Sequence, residues 1–329
     1  MSSSNLSSRH RWLACLLTAA CLACPASVVD AALLAYEPFE FGDVAVPAEG
    51  QYALGNENAG TNLLGGQNPI IGPTPFYAGA WIQSGGDAQA VKALPSLGYP
   101  NFPVGIGGLV SETVQFSCCS FGRSGREIAG GLGGPLEDRV IYESFLIDFG
   151  GEGSDDPTKF GKRGHELWNG GVGDTFLAVD LFVNSFTGAN ELTLAVNTPS
   201  GSQSVLVDGG GLTLSAMAGV HLVVMKYDFN PVAADVVSVF FDPTSPVESL
   251  TPEAQISVAA SDLRITHHGA ITNFTFSGGS HIPAAIDEIR WGDGYREVTP
   301  LDIPEPSTLA MLSAVLAGAA WRRMGRRIA

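Results

Sequence analysis

Five groups of side chains in this sequence have types that invite chemistry: Glu143 with Asp148, Asp287 with Glu288, His267 with His268, Ser124 beside glycine, and the adjacent Cys118 and Cys119. A retaining glycosidase mounts an acid and a nucleophile ~5–5.5 Å apart on a shared face. Side chains alternate along a strand, so an odd offset splits a pair across the sheet. Asp287 and Glu288 are neighbours and Glu143 and Asp148 are five apart, which sends each pair to opposite faces. Both pairs are expected as solvent-facing strand residues. Gly122-Arg123-Ser124-Gly125 lacks the Gly-x-Ser-x-Gly spacing and strand-to-helix setting of a nucleophile elbow. No catalytic residue emerges.

No metal-ligand set can be assembled from spacing. His267-His268 offers two imidazoles, but strand neighbours face apart and the chain has no His-Glu-x-x-His helix. A turn or loop pair is the expectation. Asp155-Asp156 and Asp242 could supply hard oxygen ligands, which makes a structural calcium ion compatible with this body. No other cofactor is indicated. Asp208-Gly209-Gly210-Gly211 does not open a helix after a strand, so a tight turn is expected there rather than a phosphate cradle.

Cys118 and Cys119 are the cysteines that remain once Cys15, Cys21 and Cys24 leave with residues 1–31, an export segment. Adjacent Cα atoms sit about 3.8 Å apart, shorter than the roughly 4.4–6.8 Å of ordinary disulfides. A strained vicinal ring, an intermolecular bridge and two buried thiols all remain open, with the local ring favoured in an oxidising compartment. Neither zinc-finger spacing nor a Cys-x-x-Cys pair is present in that part of the chain.

The elements that must position these residues read as strands. Alternating runs lie at Val140–Phe149, Thr175–Val183, Glu191–Val196, His221–Phe229, Asp235–Phe241, Ile271–Phe276 and Ala285–Trp291. They are separated by Gly, Pro, Asn and Asp, and no capped stripe of helical period intervenes. This pattern predicts an all-β fold, an antiparallel two-sheet sandwich or barrel. Both faces of Thr175–Val183 are largely apolar, with Asp180 on one of them, as expected of a strand between layers. Residues 32–135 are loop-rich and 136–302 regular; Gly-Leu-Gly-Gly-Pro at 131–135 and the stretch Gly150–Asp174 are expected as loops. Phe76, Tyr77 and Trp81 suggest an early aromatic strand. Asn273-Phe274-Thr275 matches a glycosylation acceptor but falls inside a predicted strand.

The ends have a different composition. Arg9 and Arg11 precede an apolar run of 13 residues, Trp12 to Cys24, followed by Pro25 and small residues up to Ala31. That is a signal peptide over 1–31. At ~1.5 Å per residue the run is about 20 Å long, short of the ~30 Å bilayer core. At the other end, Pro304-Glu305-Pro306 precedes an apolar stretch of 14 residues, Thr308 to Trp321, and then Arg322, Arg323, Arg326 and Arg327. Arginines at that density hold the end on the cytoplasmic side. The apolar stretch is again short for a stable span, so transient membrane insertion is expected of it. The prolines favour an extended backbone suited to a protease cleft.

Between these ends, residues 32–302 carry 11 Lys+Arg against 31 Asp+Glu, close to −20. Such a body offers no basic surface for phosphates, which excludes nucleic acid as a partner. It stays soluble and repels acidic polymers unless divalent cations bridge them.

Residues 303–329 resemble the PEP-CTERM sorting signal of exopolysaccharide-forming bacteria: the Pro304-Glu305-Pro306 triplet, a short transmembrane helix and the arginine cluster. The resemblance implies export by the Sec machinery, recognition of the triplet by an exosortase, and delivery to the cell surface or extracellular matrix. A second resemblance covers about 220–300. The runs HLVVMKYDFNPVAADVVSVFFDP and IDEIRWGDGYREVTP look like laminin-G/concanavalin A-like jelly rolls of planctomycete-type exported proteins. That likeness implies that the first strand, at Leu34-Ala35-Tyr36-Glu37-Pro38-Phe39, shares a sheet with Ile286 to Trp291. Together the features point to a non-enzymatic surface protein associated with extracellular polysaccharide. The competing expectation is a divergent glycan hydrolase or lyase with Trp81 and Trp168 as groove aromatics.

Overall fold

The computed structural model describes residues 31–39, 67, 76–85, 89–92, 97–102, 109–112, 120–149, 161–170, 177–184, 191–213, 216–275 and 285–301. The chain divides into two compact units, Met1–Ala31 and Ala32–Ala329, and every described strand belongs to the second.

Fifteen strands are described: β1 (Leu33–Glu37), β2 (Ile82–Gly85), β3 (Gln89–Lys92), β4 (Leu109–Glu112), β5 (Ser120–Gly133), β6 (Arg139–Asp148), β7 (Gly161–Trp168), β8 (Leu177–Asn184), β9 (Leu192–Thr198), β10 (Gly201–Leu206), β11 (Val220–Phe229), β12 (Asp235–Phe241), β13 (Ala254–Val258), β14 (Arg264–Thr275) and β15 (Ala285–Gly292). A short helix, α1 (Tyr295–Val298), closes the described region. One sheet runs β13-β12-β11-β6-β15-β4-β3 with β1 added beside β15, and the other runs β10-β9-β8-β7-β14-β5-β2. The fold is the expected all-β, antiparallel two-sheet sandwich.

Each strand read from alternation overlaps an observed one. β1 pairs with β15, Tyr36 opposite Arg290, as the second resemblance implied. β8 is a central strand, between β7 and β9; Val179, Leu181 and Val183 face the core between the sheets, and the other face carries the buried Asp180. The early part of the body contributes β1 to β5 to the two sheets, so it belongs to the same sandwich. Asp208-Gly209-Gly210 does form a tight turn, with Asp208 and both glycines at positive φ.

Two expected loops are strands instead. The stretch Gly150–Asp174 contains β7, and Gly-Leu-Gly-Gly-Pro continues β5 as far as Gly133. Neither shows an apolar alternation, because β7 is written with Lys162, Arg163, His165 and Glu166 and β5 is rich in glycine. Their ladders hold them: β14 pairs with β7 on one side and with β5 on the other. His267 and His268 therefore lie in a strand, not in a turn or loop.

β6 shows how the sandwich is layered. Ile141, Phe145 and Ile147 face the core between the sheets, while Tyr142 and Leu146 face a second apolar cluster with Leu97, Phe102, Tyr295, Val298 and Leu301. Helix α1 and the segment 97–102 thus cover part of the outer side of the first sheet. Each fully buried large apolar side chain contributes about 1.5–3 kcal/mol relative to exposure. At the far rim, Gln203 Nε2 of β10 donates to the Ser257 carbonyl of β13 at 3.0 Å, tying the edges of the two sheets.

Candidate functional site

Between the sheets, four polar side chains meet inside the apolar core. Glu143 occupies an inward position of β6, flanked by Ile141 and Phe145; Tyr227 does so on β11, His165 on β7 and His268 on β14. All four are buried. Tyr227 donates its hydroxyl to Glu143 Oε2 at 2.7 Å, and His165 Nε2 lies 2.9 Å from Glu143 Oε1. His268 Nε2 is 3.8 Å from that same oxygen. Rings enclose the group: His268 stacks on Tyr77 at 5.5 Å and packs against Trp81 and Trp291, and Phe145 lies 4.3 Å from His165. Beyond Tyr77, Arg126 pairs with Glu37 at 2.8 Å and donates to the Gly79 carbonyl at 2.6 Å.

Two glycines let the histidine-bearing strands approach their neighbours. A Cβ on Gly164 would lie 2.0 Å from the Leu181 carbonyl oxygen, and one on Gly269 would lie 2.3 Å from that of Glu166. Each glycine directly adjoins one histidine of the cluster.

Burial sets the electrostatics. Desolvation, followed by the positive charges of His165 and Arg126, holds His268 well below the ordinary imidazole range. The Tyr227 hydroxyl is pushed up by burial and by the Glu143 carboxylate. Glu143, His165 and His268 offer one oxygen and two nitrogens within 4.8 Å of one another, a donor set able to hold a metal ion.

The outer face of the second sheet carries acids. Glu166 and Asp180 are direct cross-strand partners of β7 and β8 and therefore share a face, opposite His165 and Leu167. Arg123 Nε lies 2.9 Å from Glu166 Oε2. Both carboxylates are buried.

On the first sheet a bulge corrects the expectation for Asp287 and Glu288. Glu288 takes φ 54° and the β15–β6 register shifts between Asp287 and Arg290. Alternation fails across a bulge, and both acids engage the same outer layer. Asp287 Oδ2 accepts from the Leu97 amide at 3.0 Å; Glu288 Oε2 accepts from the Tyr36 hydroxyl at 2.5 Å and from Arg290 at 3.2 Å. Arg290 in turn stacks on Tyr36 and Phe102. Burial, then the neighbouring Glu288 charge, pushes the Asp287 carboxyl up to about 8. Neither acid is solvent-facing, and nor is Glu143. Glu143 and Asp148 do split across the sheet.

Beyond this bulge, β11 and β12 form the floor of a recess of about 370 Å³ lined by Lys226, Ser238, Phe240, Glu248, Ser249 and Gln255 among others. Glu248 accepts from Tyr142 at 2.7 Å and from Lys226 at 2.8 Å, and Gln255 donates to Ser238 at 3.0 Å.

Trp81 and Trp168, expected as groove aromatics, are fully buried. Asp242 gives its oxygens to His221, at 2.7 Å, and to the Leu222 amide, at 3.0 Å. Asp155, Asp156, Cys118, Cys119, the signal peptide, Pro304, Glu305, Pro306, Arg322, Arg323, Arg326 and Arg327 lie outside the described residues. Among the described residues no helix is long and apolar enough to cross a membrane. The Glu143–His165–His268–Tyr227 cluster escapes sequence reading; its one local signal is a carboxylate at an inward position of a strand that is otherwise apolar on that face.

No curated protein matches this chain. Among solved structures it is similar to the endo-β-1,4-glucuronan lyase of the fungus Trichoderma reesei, at 11% identity over 64% of this chain and 90% of that one, with a TM-score of 0.40. Lectin II from Ulex europaeus follows at 11% identity, covering 64% and 91%, with a TM-score of 0.37. The carbohydrate recognition domain of Emp47p is 14% identical over 65% and 88%, with a TM-score of 0.38. At the other end of the body, residues 302–327 match the PEP-CTERM protein-sorting motif, the segment that Pro304-Glu305-Pro306 opens.

Proposed function

We propose that this chain is an exported surface or matrix protein, passed by the Sec machinery, handed to an exosortase at Pro304-Glu305-Pro306, and retained through association of its β-sandwich with extracellular polysaccharide. The observation that carries the reading is the PEP-CTERM match at residues 302–327. In this reading the apolar stretch and arginine cluster anchor the chain in the inner membrane only until processing. The recess over β11 and β12 is the surface for sugar. Glu248, Gln255 and Ser249 offer acceptors and donors that suit hydroxyl groups, and the exposed Leu250 beside them offers an apolar face. The sandwich acts without catalysis, and the acidic body favours neutral glycans or cation-bridged acidic ones.

Mass spectrometry of the mature C-terminus tests the itinerary: a chain that keeps Arg322 to Arg327 in cells overturns it. A polysaccharide pull-down with the purified chain, with and without calcium, tests retention. Binding that falls on Gln255→Ala supports the recess, and no binding to any polysaccharide removes it.

A second reading, a glycan hydrolase or lyase, is favoured by the Glu166–Asp180 pair, two carboxylates on one face with Arg123 beside them. Product release from a polysaccharide panel, lost in Glu166→Gln, would support it; uniform inactivity discards it.

A further inference from the structure

We propose that Glu143, His165 and His268 hold one divalent transition-metal ion, zinc in the first instance, as a cross-brace between the two sheets. The inference depends on neither the sorting nor the carbohydrate reading.

The donor chemistry comes first. One carboxylate oxygen and two imidazole nitrogens suit zinc and its first-row neighbours, whereas calcium takes oxygens. The spacing agrees. Zinc sits about 2.0–2.2 Å from such donors, which puts tetrahedral ligand atoms roughly 3.3–3.6 Å apart. The distances from Glu143 Oε1 are 2.9 Å to His165 Nε2 and 3.8 Å to His268 Nε2, on either side of that range. Shifts of well under an ångström equalise them.

A second observation points to the same ion. His268 is wholly buried, and neither of its ring nitrogens makes a hydrogen bond. Buried polar atoms without partners are uncommon and costly. Coordination by Nε2 supplies a partner where the surroundings, Tyr77, Trp81 and Trp291, present ring surfaces. The carboxylate is also oriented as a ligand should be. Tyr227 occupies its other oxygen at 2.7 Å and leaves Oε1 directed at the two histidines, the role of an outer-shell partner.

The ligands come from β6 of one sheet and from β7 and β14 of the other, so an ion here fastens the layers. In residues 32–302 the cysteines are adjacent, and no disulfide within that body can join distant strands. A metal tie supplies the missing cross-link. Since its ligands converge only when the sheets stack, loading accompanies folding.

The test unfolds the purified full chain in chelator and refolds it with zinc, cobalt or calcium separately, counting metal after desalting. The expected result is about one zinc per chain, no retained calcium, visible d–d bands of a nitrogen–oxygen cobalt site, and a Tm raised by zinc. Glu143→Gln and His268→Ala should each weaken zinc binding at least about tenfold. Less than about one zinc in ten chains, or full zinc content in His268→Ala, overturns the proposal. Should His268→Ala fail to fold, the cobalt-loaded native chain decides alone: a spectrum without d–d bands overturns the assignment.

Discussion

His165 Nε2 and Glu143 Oε1 stand 2.9 Å apart across the interface of two sheets, and neither side chain reaches solvent. Because Tyr227 bonds the other carboxylate oxygen, deleting the acid removes two buried polar contacts at once. Glu143→Ala is expected to cost about 3–5 kcal/mol, whereas Glu143→Gln, which keeps an acceptor and the volume, should cost clearly less. Urea unfolding at constant m checks both; equal losses would show that the carboxylate charge, not the side-chain volume or a retained acceptor, sets the effect.

Gly164 and Gly269 should tolerate no side chain. An added Cβ meets main-chain oxygens at 2.0 and 2.3 Å, atoms that cannot rotate away. Gly164→Ala and Gly269→Ala are each expected to destabilise by about 1–3 kcal/mol or more. Gly130→Ser offers a control for strand glycines, since the space around Gly130 is open although its φ of 79° still imposes strain. Thermal unfolding should rank the first two below it.

Asp287 gives the fold a pH dependence. Its carboxyl titrates near 8 in the fold, raised by burial and then by Glu288, against about 3.9 in an unfolded chain. A folded value above the unfolded one means that the contribution of Asp287 to stability is complete below about pH 4 and is lost as pH rises through about 8. Asp287→Asn should flatten that loss, gaining on the native chain at pH 8 and not at pH 4. Paired Tm measurements at the two pH values decide it.

His221 bends the profile the same way. Burial lowers its proton affinity, but the hydrogen bond to Asp242 at 2.7 Å and that residue's charge outweigh burial, so the net shift is upward. The stabilisation is complete below the ordinary imidazole range and fades as pH climbs through the raised folded value. Asp242→Asn should remove this component, and NMR titration of His221 should move to lower pH. An unmoved titration would mean that Asp242 does not set the shift.

Legibility followed the physics of alternation. β6, β11 and β12 were readable because one face of each is largely apolar, as in Val237, Val239 and Phe241 of β12. β7 was not, since Gly161–Trp168 takes its structure from the flanking ladders of β8 and β14 rather than from its own polarity pattern. Asp287 and Glu288 misled because alternation assumes an unbroken pleat, and a bulge at Glu288 breaks it. His165 and His268 belong to strands far apart in the chain, and no local spacing announces that they meet.

What the sequence alone determined is therefore the set of features read locally: the tail motif, which acts as a linear peptide, the charge of the body, and the all-β class. The tertiary structure decided which polar groups lie inside, because burial depends on strand partners, on register and on the stacking of one sheet over the other. Glu143 became the centre of a buried cluster through contacts that no neighbour in the chain supplies.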